Sequence, residues 1–75
     1  MDVFGFLEEH KLSLQWLRAQ LSARGLDMSR SFLYRALRGE RTSELAEETV
    51  RAARSICEQY ERSMVNNAEA VQNDR

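Results

Sequence analysis

The sequence predicts an all-helical chain, and three observations carry that reading. Proline is absent from all 75 residues, so no helix interior is interrupted by a missing donor. Leu, Ala, Arg, Glu and Gln dominate while β-branched residues are few, a balance that favours helix over strand. No stretch alternates apolar and polar residues with period two for long. The length allows one domain with a thin core and no deep cleft between lobes. The expected architecture is a compact four-helix domain over residues 1–64, with a long last helix that ends in a frayed, flexible tail over 65–75.

A first short helix is expected from about Val3 to His10, with Asp2 as N-cap and Phe4, Phe6 and Leu7 as its apolar contribution. His10 and Lys11 stand where positive charge complements a helix C-terminus. A second helix opens on the cap residue Ser13 and runs Leu14 to Arg24, with Leu14, Leu17 and Leu21 on one face and Gly25 as a left-handed stop. Leu26-Asp27-Met28 then makes a brief turn whose Leu26 and Met28 plug the core. Ser29 caps a third helix, Arg30 to Arg38, and Gly39 ends it. Cap, helix, glycine, turn, cap, helix, glycine is the grammar of a helix-turn-helix. After Glu40-Arg41-Thr42-Ser43 a longer helix runs from about Glu44 to about Met64, capped by Ser43 or Thr42. Its expected buried stripe is Leu45, Thr49, Val50, Ala53, Ile56, Cys57, Tyr60 and Met64.

The net charge is −1, but it is unevenly placed. Residues 1–10 carry three acids and no Lys or Arg. Residues 11–41 carry seven cations against two acids, a balance of +5, and residues 42–75 return to −3. A basic middle between acidic ends can steer a polyanion although the whole molecule cannot. Six of the seven cations are Arg, whose planar fork suits phosphates and guanine edges.

Stepping 100° per residue along the third helix separates its faces. Leu33, Ala36 and Leu37 fall on the core side. Ser31, Arg35 and Arg38 fall opposite, with Phe32 and Tyr34 on the flanks. A short helix with an arginine-rich outer face suits the major groove of double-stranded DNA. Arg30 and Ser31 at its tip and Arg35 one turn on are the candidates for base contact. Ser29, Tyr34, Arg38 and Arg41 are placed for phosphates, and Gln15 and Arg18 could clamp the backbone from the preceding helix.

The run from Leu26 to Arg41 resembles the recognition half of lambda-repressor-like (Cro and Xre type) helix-turn-helix proteins. In that family a hydrophobic residue and a Ser or Thr cap precede the recognition helix. An aliphatic residue sits fourth in it, and a glycine with basic residues closes it. Met28, Ser29, Leu33 and Gly39 hold those places. One feature differs: Gly25 stands three residues before Met28, whereas the family sets glycine next to the hydrophobic turn residue. The resemblance spans about Leu12 to Ile56. It implies base reading at the first, second and sixth helix positions, which are Arg30, Ser31 and Arg35. It also implies a Cro-like repressor of bacteriophage or mobile-element origin. The alternative is a helix-turn-helix scaffold reused as a protein-binding module, such as an antirepressor or an inhibitor of a nucleic-acid-handling enzyme.

Val50, Ile56 and Tyr60 either belong to the chain's own core or exceed what a small domain covers. In the second case Ile56, Tyr60 and Met64 would form a homodimer interface, and paired readers bind two half-sites one turn of DNA apart. Trp16 reads as a core or interface anchor. Enzyme chemistry is not expected: His10 lacks a motif partner, and Glu8-Glu9 and Glu47-Glu48 point to different sides of their helices. The single cysteine, Cys57, makes neither a disulfide nor a zinc site by itself and reads as a buried thiol in a reducing cytoplasm. No signal-peptide pattern opens the sequence, and no apolar run could span a bilayer. No cofactor, metal or small-molecule ligand is expected.

Overall fold

Serine hydroxyls begin three of the four helices. The computed structural model describes residues 2 to 73, with side chains as far as Met64. Its elements are α1 (Val3–Glu9), α2 (Leu14–Ala23), α3 (Arg30–Leu37) and α4 (Glu44–Asn73), with no strand among the described residues. Ser13 Oγ accepts from the Trp16 N–H at 3.0 Å, Ser29 Oγ from Phe32 at 3.1 Å, and Ser43 Oγ from Ala46 at 3.2 Å. Each bond satisfies a donor that the helix itself leaves unpaired, typically contributing about 1 kcal/mol. Asp2 occupies the N-cap position of α1 without a side-chain capping bond.

The first three helices end in the same way. The sixth residue of the closing motif donates back to the first: Leu12 to Leu7 O at 2.8 Å, Leu26 to Leu21 O at 2.9 Å, and Glu40 to Arg35 O at 2.9 Å. An inner bond accompanies each, from Lys11 to Glu8 O, Gly25 to Ser22 O, and Gly39 to Ala36 O. This is the Schellman arrangement, which needs one left-handed residue. Gly25 and Gly39 supply it at φ +86° and +81°, and Lys11 supplies it at φ +56°. A side chain in that region costs about 1 kcal/mol relative to glycine.

The core joins all four helices. Leu17, Leu21, Leu33, Ala53 and Cys57 are fully buried, with Val3, Phe6, Leu7 and Ile56 nearly so. Thr49 is buried as well, and its Oγ1 donates to the Leu45 carbonyl at 2.8 Å, so no polar group is left unpaired there.

Several expected positions differ. Val3 is buried while Phe4 is half-buried, its ring 5.4 Å from Tyr34. On α4, Ala46 is buried and Leu45 is exposed, because α3 packs on α4 through small residues, with Ala36 and Ala46 lining the same junction. Leu14 lies at the core margin rather than inside. The helix of α4 continues past Met64 to Asn73, since neither glycine nor proline follows to stop it. Positions 74 and 75 of the expected tail lie outside the described residues, as do the side chains from 65 onward. Of the expected dimer residues, Ile56 is enclosed in the chain's own core. Tyr60 is half-buried and packs within the chain, its ring 5.4 Å from Trp16 and 6.0 Å from Phe6, both edge-on. Only Met64 is exposed.

Candidate nucleic-acid interface

The local sequence holds α3 at three points. Ser29 caps its first turn, Leu33 and Ala36 are buried beneath it, and Gly39 turns the chain away at its end. A fourth restraint comes from α2. Arg18 Nε donates to the Met28 carbonyl at 2.8 Å, and this bond is partly buried. It ties α2 to the turn residue immediately before the Ser29 cap. Across the same turn the Ser22 hydroxyl donates to Asp27. The start of α3 is therefore fixed by an arginine that the sequence placed on phosphates.

With its rear face anchored, α3 presents Arg30, Ser31, Tyr34, Arg35 and Arg38 to solvent. Arg30, Ser31, Tyr34 and Arg35 line one shallow depression of about 370 Å³, together with Leu14 from the start of α2. Among the described residues neither Arg30 nor Arg35 has an ion-pair partner; the one such pair is Arg38 Nε with Glu40 at 2.8 Å. Arg38 Nη1 also donates to the Tyr34 hydroxyl at 3.0 Å, and its guanidinium carbon lies 5.5 Å from the centre of that ring. The Tyr34 hydroxyl first and then Glu40 hold Arg38 more firmly protonated than an ordinary arginine.

The expected site residues therefore divide. The three base-contact candidates and Tyr34 share one surface. Gln15 and Arg18 line a separate, smaller depression of about 210 Å³ with Ser22, Asp27 and Met28. Gln15 Oε1 accepts from Arg18 Nη1 at 3.4 Å. Arg38 is partly neutralised by Glu40. Arg41 sits beyond the end of α3 with its guanidinium 5.6 Å from the Phe32 ring centre. Ser29 uses its oxygen as a cap acceptor and keeps its O–H as a donor. Leu14 was missed as part of the surface; as the first residue of α2, beside its N-cap, it carries the signal of a margin position.

Such a surface can do two things chemically. The guanidinium forks can each donate two parallel hydrogen bonds, and Leu14 offers an apolar edge beside them. No known family model matches the chain, and no curated protein or solved structure matches it either. Among the described residues no helix is long and apolar enough to cross a membrane.

Proposed function

We propose that this chain is a small, sequence-specific double-stranded DNA-binding regulator that inserts α3 into the major groove. The observation that carries the reading is the shared outer surface of Arg30, Ser31 and Arg35. All three are exposed, and the two arginines lack internal ion-pair partners on a helix anchored from behind. In this reading Arg30 and Arg35 read guanine edges with paired hydrogen bonds, and Ser31 makes a less selective contact. Tyr34, Ser29, Gln15 and Arg41 hold phosphates and fix the register, with lesser contributions from Arg18 and Arg38, whose guanidiniums already serve internal bonds. The capped α2–turn–α3 unit is taken as a lambda-repressor-like helix-turn-helix. The protein would act in the cytoplasm as a Cro-like repressor, occupying an operator and excluding polymerase or a rival regulator. If two copies pair, the contact must lie outside Ile56, with Met64 as its exposed apolar residue.

Selection from a random duplex library at moderate salt tests the reading, with the Arg30→Ala, Arg35→Ala double variant in parallel. The expected result is an enriched site, guanine-containing and lost in the variant. No enrichment by a protein shown to be folded and helical would overturn it and favour the protein-binding module.

A further inference from the structure

A second basic surface lies on the other side of α3. We propose that the groove between the end of α3 and the first half of α4 is a docking site for an acidic amphipathic helix of a partner protein. The groove measures about 370 Å³ and is open to solvent. Its floor is apolar and low: Ala36 and Ala46 are buried, and Val50 is half-buried. Ala36 and Ala46 close the floor from below, and half-buried Val50 is the apolar side chain it offers to a partner's anchor. Helices commonly bind in grooves of this kind through anchors spaced three or four residues apart.

The rim supplies the charge preference. Arg51 and Arg54 stand one turn apart on α4, and Arg41 stands across the groove, with Glu47 as the acid beside them. Three cations face one carboxylate, and among the described residues none of the three arginines has an ion-pair partner. Residues spaced as Arg51 and Arg54 are neighbours on one helix face, about 5–6 Å apart at Cβ. A partner helix with two carboxylates at i and i+3 or i+4, flanking an apolar anchor, matches that spacing. Arginine is also among the residues enriched at protein interfaces.

Nucleic acid fits this groove less well. Phosphate binding needs no apolar floor. Ala36 lies about 140° around α3 from Ser31 at 100° per residue, so the groove faces away from Arg30, Ser31 and Arg35 and shares only Arg41 with the residues assigned to phosphates. The inference does not depend on that assignment.

The test uses the full chain and a displayed library of short helical peptides, with two fixed leucines one turn apart and the surrounding positions randomised. Enriched peptides are then titrated into isotope-labelled protein. The expected result is enrichment of Asp and Glu around the leucines, with amide shifts centred on Ala46, Val50, Arg51 and Arg54. The Arg51→Ser, Arg54→Ser double variant should bind the peptides at least about tenfold more weakly, while Arg62→Ser binds as the native chain does. Both variants change exposed side chains, and circular dichroism checks that each remains helical. The proposal is overturned if no peptide enriches, if enriched peptides lack carboxylates, if the shifts fall elsewhere, or if random duplex DNA moves the same groove amides.

Discussion

The junction between α2 and α3 and the outer face of α3 are built around the same residue type and use it in opposite ways. At the junction Arg18 is half-buried, its Nε bound to the Met28 carbonyl. On the outer face Arg30 and Arg35 are exposed and, among the described residues, lack ion-pair partners. An arginine bound to a partly buried carbonyl contributes to folding, because removing it costs that acceptor its partner. An exposed arginine without a partner contributes little to folding and keeps its donors for a ligand. Charge distribution along the sequence does not separate the two roles. The partner atom does.

The most disruptive way to break the contrast is Leu33→Ala. It removes the fully buried anchor beneath the outer face and should cost about 2–5 kcal/mol. In so small a domain that loss approaches the whole stability, so urea denaturation should show a greatly lowered midpoint or no folded baseline, and both regions should fail together. Arg18→Met is more selective. It keeps an apolar stem but abandons the Met28 carbonyl, so unfolding free energy should fall by about 1–3 kcal/mol in urea melts. Arg35→Ala should leave the same melt unchanged within about 0.5 kcal/mol.

Much of this architecture was legible because its signals are local. Ser13, Ser29, Gly25 and Gly39 each announce a helix end within three or four residues of the bond they make or permit, and all four behave so. The end of α1 was harder to read, because Lys11 takes the left-handed position with no glycine to mark it. On α4 the apolar pattern favoured Leu45 over Ala46, yet close packing of α3 on α4 selects the smaller residue. The outer face of α3 was readable from helical periodicity alone. The role of Arg18 was not, since its acceptor lies ten residues away across a turn.

Lys11→Gly relieves the left-handed side chain while leaving the bonds from Lys11 and Leu12 in place. It should raise stability by up to about 1 kcal/mol in the same melts, with no effect at the outer face. Cys57 provides the weakest test. Burial first, and then the charge of Glu58, push its thiol pKa up. The stability linked to this group is therefore complete below the ordinary thiol pKa of about 8.5 and is lost as pH rises toward the raised value. Unfolding free energy should decline in alkali more steeply in the native chain than in Cys57→Ala.

In the proposed reading the outer face of α3 binds DNA through arginines that folding does not need. It is tested most directly by measuring duplex affinity and urea stability of Arg35→Ala beside the native chain, using a duplex enriched by the native protein. Arg35→Ala is expected to bind that duplex more weakly by about 1–3 kcal/mol on an unchanged fold. Equal affinity of the two proteins for that duplex would contradict it.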